Sequence, residues 1–320
     1  MPLSFDLPLE SLKSYEGTNP KPSDFDEFWQ DGLNEMRNVG PEIEFIKAEF
    51  ECSYCICEDM YFTGVGGARQ HAKILRPINE TETHPAIIMF HGYSGNSGSW
   101  SDKLKFAAMG YTVAALDCRG QGGFSEDNGG VIGNTLRGHI IRGLEGPPEK
   151  MLFRQIFLDT AQLASIVMEM TGVDPRRIGT LGRSQGGGLA LACSALEPRI
   201  KLTAADFPFL CDYKRVWEID LAKDAYLELQ EYFKRFDPLH DREEEIFTRL
   251  GYIDVQFLVP RIKAEVFMAV GLMDTICPPS TQFAAYNKIK AQKNLAVYPD
   301  FGHEMLPGRD DAVFQFMLGL

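Results

Sequence analysis

The sequence predicts an α/β protein: a mostly parallel central sheet flanked by helices, with an antiparallel N-terminal edge and one helical excursion. Three observations carry this. Apolar runs such as PAIIMF and YTVAALD lack alternation, as strands covered on both faces do. Helical stretches separate successive runs, the order that right-handed βαβ crossovers produce. The chain has 320 residues, 44% of them hydrophobic, enough to bury a large core in one domain over 1–320.

Residues 1–40 read as a helical extension. In PSDFDEFWQDGLNEM, Ser23 is the expected N-cap, and Phe25, Phe28, Trp29 and Leu33 share one helical face for burial. PEIEFIKAEF, SYCICEDMYFTG and ARQHAKILRP then predict three strands of the antiparallel edge. PAIIMFHGYSG, GYTVAALDCRG, RRIGTLGRS, LTAADFPF, AEVFMAVGLMD and NLAVYPDFGH supply the remaining strands. RQIFLDTAQLASIVMEM and QGGGLALACSAL are the principal helices between them. Two segments break the rhythm: 119–150 is Gly-rich with little periodicity, and 212–255 is polar, aromatic and mostly helical. Both follow strand ends, where an open α/β sheet places its ligands.

The formal net charge is −13, which argues against a nucleic-acid partner and leaves a neutral or cationic small substrate. No run approaches the roughly 18 apolar residues of a membrane span. The opening MPLSFDLPLESLKSYEG has acids and prolines where a secretory leader needs a basic end and an apolar run, so a cytoplasmic location is expected. The cysteines are Cys52, Cys55, Cys57, Cys118, Cys193, Cys211 and Cys277, an odd number that predicts reduced thiols. Cys52, Cys55 and Cys57 cluster, but nothing nearby completes a tetrahedral ligand set; they read as strand residues, with no metal and no cofactor expected.

Gly182-Arg183-Ser184-Gln185-Gly186 matches G-x-S-x-G, with an apolar strand before it and a helix after it. That setting is what a nucleophile elbow requires, because a strained turn lifts the serine hydroxyl above the sheet. A neutral serine needs a base, and the base needs an orienting carboxylate. His240 and His303 are the histidines that follow Ser184. His240, in DPLHDRE, reads as a solvated turn, whereas His303 follows the last strand and is the candidate base. Asp274, three residues past the strand ending at Gly271, is the candidate acid. The oxyanion donors are then the backbone N–H of Gln185 and that of Tyr93, in the loop after IIMFHG, with the Tyr93 ring also lining the pocket.

Together with FPFLC and GLMDTICPPSTQFAAYN, three signatures closely resemble the acetyl xylan esterase and cephalosporin-C deacetylase family: Arg119-Gly120-Gln121-Gly122, Gly182-Arg183-Ser184-Gln185-Gly186-Gly187 and His303-Glu304. The resemblance covers nearly the whole chain. It implies an α/β-hydrolase fold and a cofactor-free serine esterase that deacetylates small acetylated carbohydrates and cephalosporin C. Carried over, it makes Ser184 the nucleophile, His303 the base and Asp274 its orienting acid, with the amides of Tyr93 and Gln185 as the oxyanion hole. It also implies a homo-hexamer around an inner chamber. Arg119, Gly120 and Gln121 are expected to fix loops rather than touch substrate, with Glu304 as the Arg119 partner.

Arg183 departs from the small residue usual before the serine in that family. One reading makes it a free cation that disfavours the His303 imidazolium; the other has it neutralised by an acid and supporting the turn. Two rival functions stay open at this point. A serine peptidase related to prolyl oligopeptidases shares the triad order but needs a large gating domain that 320 residues do not hold. A catalytically silent binding protein on the same scaffold would betray itself by a lost triad member, and none is lost.

Overall fold

A computed structural model of the chain describes residues 5–78, 83–129 and 134–320. Its strands are β1 (Glu44–Lys47), β2 (Cys55–Thr63), β3 (Arg69–Pro77), β4 (His84–Phe90), β5 (Thr112–Asp117), β6 (Val173–Arg183), β7 (Leu202–Asp206), β8 (Glu265–Gly271) and β9 (Lys293–Tyr298). They form one sheet in the order β1-β2-β3-β5-β4-β6-β7-β8-β9. The β1/β2, β2/β3 and β3/β5 pairs are antiparallel, and every pair from β5/β4 to β8/β9 is parallel. The expected antiparallel edge and parallel body are both present.

The unbroken apolar strands are unbroken because helices cover both faces. Every residue of β5 and β7 is buried, and so is every residue of the helix Gln185–Leu196. On the N-terminal helix Phe25–Arg37, Phe25, Phe28, Trp29 and Leu33 are buried as the spacing predicted, and the Trp29 indole donates to the Tyr252 carbonyl at 3.0 Å. Two local expectations are corrected. The residue before that helix is Asp24, not Ser23, and it offers no side-chain cap. Cys52 lies outside the strand that carries the buried Cys55 and Cys57.

Residues 119–150 hold one short 3-10 turn, Pro148–Lys150, among the described residues. Residues 212–255 carry the helices Tyr213–Glu218, Leu227–Phe236 and Glu243–Gly251. One apolar cluster runs from Leu12 and Trp29 through Phe157 to Phe233 and Phe283, so extension, sheet-covering helices and excursion share packing. Glu228 of the excursion accepts the backbone N–H groups of Gly138 (3.1 Å), Ile140 (2.8 Å) and Ile141 (3.2 Å), which pins the Gly-rich stretch to it. No described helix is long and apolar enough to cross a membrane.

The topology also positions a crevice. β5 lies on one side of β4 and β6 on the other. The chain leaving β4 therefore turns one way and the chain leaving β6 the other, and their carboxyl ends open the gap in which such sheets bind ligands.

Candidate active site

Ser184 stands at that gap, between the last residue of β6 and the first of the helix Gln185–Leu196. Its φ of 56° and ψ of −121° lie where an L-residue with a side chain is strained. Three hydrogen bonds hold it there: its N–H donates to the Asp206 carbonyl at 3.0 Å, and its own carbonyl accepts from the N–H groups of Phe209 at 3.0 Å and Gly188 at 3.1 Å. The flanking glycines are obligatory. A Cβ on Gly182 would overlap the backbone of Gly186, and a Cβ on Gly186 would overlap the Phe90 carbonyl.

Asp274 follows β8 and is completely buried. Its Oδ1 accepts the N–H groups of Ile276 (2.9 Å) and Cys277 (2.8 Å), which fixes the carboxylate. Its Oδ2 lies 2.9 Å from His303 Nδ1 and 3.3 Å from Gln282 Nε2, which donates to it. His303 follows β9; its ring packs on Phe207 with centroids 4.5 Å apart. With Asp274 ionised, Nδ1 carries the proton and Nε2 is left as the free acceptor. The Cys277 thiol joins the group: it lies within 4.8 Å of the donor atoms of Asp274 and His303. Asp274 and His303, 29 positions apart, thus meet beside one thiol.

Gln185 is the first residue of its helix, so its N–H has no acceptor in the preceding turn. Its side chain forms a reciprocal amide pair with Gln121: Gln121 Nε2 to Gln185 Oε1 is 3.0 Å, and Gln185 Nε2 to Gln121 Oε1 is 3.1 Å. Both side chains are completely buried. Gln121 Oε1 also accepts the Ser94 N–H at 3.0 Å. One side chain therefore links the elbow to the loop bearing Tyr93, the two segments expected to supply oxyanion donors. The Tyr93 ring packs against Phe209 and His139, and its hydroxyl accepts the His139 N–H at 3.4 Å. Gly120 has a φ of 66°, the left-handed turn that lets Gln121 point inward.

One expectation fails here, and one of two open readings is decided. Arg119 does not meet Glu304. It forms a bidentate pair with the buried Asp159, at 2.6 Å for each hydrogen bond, and donates to the Val65 carbonyl. Glu304 is exposed, and its carboxylate accepts the Gly302 N–H at 3.0 Å. Arg183 is not a free cation. Its Nε donates to the buried Asp206 at 3.0 Å and its Nη2 to Asp310 at 3.1 Å, so two carboxylates neutralise its field at the elbow. His240 stands apart, in a turn with its ring on Phe233 and Nδ1 3.2 Å from Glu243.

Sequence reading missed Cys277 as a member of the site, though DTICPP places it three residues past Asp274. It also missed Asp206 and the Gln121–Gln185 pair. Residues on separate elements and loops gave no local signal for those contacts.

Over residues 1–320 the chain matches the family model described as Acetyl xylan esterase (AXE1). Its structure resembles that of acetyl xylan esterase 1 from a Thermoanaerobacterium species, with a TM-score of 0.96 at 60% identity over 98% of this chain and 99% of that one. An acetyl xylan esterase from a Paenibacillus species gives a TM-score of 0.92 at 34% identity over the same shares, 98% and 99%. An acetyl esterase of Xylanibacter ruminicola is 23% identical over 297 residues, 91% of this chain but 64% of its own length. The chain thus spans less than two thirds of the curated relatives it matches. An acylaminoacyl peptidase of Pyrococcus horikoshii, 17% identical with a TM-score of 0.60, shares the fold alone. That fold is the α/β-hydrolase fold.

Proposed function

The chain belongs to the acetyl xylan esterase family, and on that premise we propose that it is a serine esterase that removes acetyl groups from short acetylated xylo-oligosaccharides, with the acetyl ester of cephalosporin C a second substrate of the same chemistry. The observation that supports the reading is the strained elbow that holds Ser184 at the carboxyl end of β6, with the Asp274–His303 pair formed by the chain beyond the carboxyl ends of β8 and β9.

In this reading Ser184 Oγ attacks the acetyl carbonyl while His303 Nε2 takes the hydroxyl proton. The tetrahedral oxyanion accepts from the backbone N–H groups of Gln185 and Tyr93. His303 then returns the proton to the departing sugar oxygen, leaving an acetyl ester on Ser184. Water, deprotonated by His303, releases acetate and restores the serine. Buried Asp274 holds the imidazole in the required tautomer and stabilises the imidazolium that forms at each step. None of these steps asks for a cofactor.

The proposal includes a homo-hexamer in the cytoplasm. The family resemblance supports the assembly, as do the exposed Ile43, Phe45 and Ile46 on and beside the edge strand β1. Acetate release from acetylated xylo-oligosaccharides, measured beside acetyl, butyryl and longer simple esters, tests the substrate assignment. Turnover highest for acetyl and detectable on the oligosaccharide is expected. Preference for long acyl chains, or no release from any acetylated sugar, overturns it.

A further inference from the structure

The same centre carries a second ligand set. Asp274, Cys277 and His303 each offer one donor atom, and the three atoms lie within 4.8 Å of one another; among the described residues no other group of three carboxylate, thiol or imidazole side chains is so disposed. Oxygen, sulfur and nitrogen in one trio suit a borderline-soft divalent cation, and three protein ligands with an open fourth position match the pattern of zinc. Asp274 and Cys277 are completely buried, while the half-buried His303 ring leaves a way in from the crevice. Asp274 is already oriented by two backbone N–H groups and by Gln282, the kind of support that holds a carboxylate ligand in place. Ligands around a tetrahedral zinc sit about 3.3–3.6 Å apart, so the trio closes by shifts of about 1 Å.

We propose that Asp274, Cys277 and His303 form an inhibitory zinc-class metal site at the base of the active centre. The claim of inhibition rests on the esterase reading above; the claim of binding does not. Coordination breaks the Cys277 S–H bond and forms a metal–sulfur bond, the proton leaving to solvent with no change of oxidation state. Metal on His303 Nε2 occupies the lone pair that would accept the Ser184 proton. Metal on Nδ1 displaces the shared proton and leaves Nε2 protonated. Either way the base is lost, and a chelator restores it.

The chelator-stripped full-length protein, titrated with Zn²⁺ by equilibrium dialysis and with Co²⁺ by absorbance, tests this. Saturable binding of one ion per chain is expected, with a thiolate-to-cobalt charge-transfer band that Cys277→Ser and Cys277→Ala both lack. Loss of a ligand should weaken Zn²⁺ binding by at least about tenfold, the smallest effect that even outer partners of a metal exert. Zn²⁺ should suppress acetate-ester hydrolysis, and each Cys277 variant, normalised to its own metal-free rate and matched in circular dichroism, should need at least about tenfold more Zn²⁺ for the same suppression. Absence of saturable binding, or equal affinity in the Cys277 variants, overturns the site. Binding with the band but undiminished hydrolysis overturns the inhibition. A wild-type protein that shows the band but no metal-free hydrolysis contradicts the esterase reading instead and leaves the metal site standing.

Discussion

Arg183 Nε lies 3.0 Å from a carboxylate oxygen of Asp206, the residue paired with it in register on the neighbouring strand. Asp206 also forms an ion pair with Arg309, and burial pushes its carboxyl above the usual carboxylate range against the pull of both cations. The residue before the nucleophile is thus part of a charge network beneath the elbow. Arg183→Gly should leave the acidic limb of the kcat/KM profile in place, because the cation it removes is already neutralised. It should lower stability by about 1–2 kcal/mol, since Arg309 remains to pair the buried carboxylate. A pH–rate profile and urea unfolding of both proteins check this; an acidic limb displaced upward would restore the free-cation reading.

Asp274→Asn keeps an oxygen for the Ile276 and Cys277 N–H groups but loses the charge facing His303 Nδ1. The imidazole is then free to take the wrong tautomer. We expect kcat on an acetate ester to fall about 10³- to 10⁴-fold with the fold retained. Steady-state kinetics at matched circular dichroism measure it, and a loss under about tenfold would remove Asp274 from its orienting role.

Gln121→Leu strips the Ser94 N–H and the Gln185 side chain of their partner. Stability should drop by about 1–3 kcal/mol for the buried polar groups left unpaired. If Gln121 aligns the two oxyanion segments, kcat should also fall by about 10- to 100-fold with little change in KM, short of the roughly 10²- to 10³-fold that loss of a whole donor costs. Unchanged kcat beside reduced stability would show that the pair merely packs.

The expected strands were legible because each is set by its own composition: β5 and β7 are unbroken apolar runs since both their faces are covered. The elbow position of Ser184 and the strand-end positions of Asp274 and His303 were legible through chain order, which is also a local property. The Arg119–Asp159 pair was not, because Asp159 sits inside a mostly buried helix whose rotation onto the loop depends on tertiary packing. Arg183–Asp206 needed the β6–β7 register, and the Cys277 contact needed two loops to meet above the sheet. Side-chain partners between elements are set by topology and register, which periodicity does not encode.

Burial pushes the Glu228 carboxyl up to about 7, against the lowering effect of the backbone N–H groups of Ile141, Ile140 and Gly138. Its folded pKa thus lies above the unfolded value of 4.5. The folded chain holds this proton more tightly, so the stability it contributes is fully present below about pH 4.5 and is lost as pH rises through about 7. Glu228→Gln should shrink the fall in unfolding free energy between pH 5 and pH 8 by up to about 3 kcal/mol. Asp254, pushed up to about 7 by burial and by Asp212, titrates in the same direction and should preserve the remaining slope. Urea unfolding at the two pH values measures the difference; an equal slope in the variant contradicts the assignment.

The most direct test of the esterase reading is the rate of acetate-ester hydrolysis by Ser184→Ala beside wild type. A methyl group keeps the elbow backbone, and circular dichroism verifies that the fold is retained. Without the hydroxyl no acetyl-enzyme forms, and kcat should fall by about 10⁴-fold or more. Hydrolysis within about tenfold of wild type would contradict nucleophilic catalysis by Ser184 and, with it, the proposed mechanism.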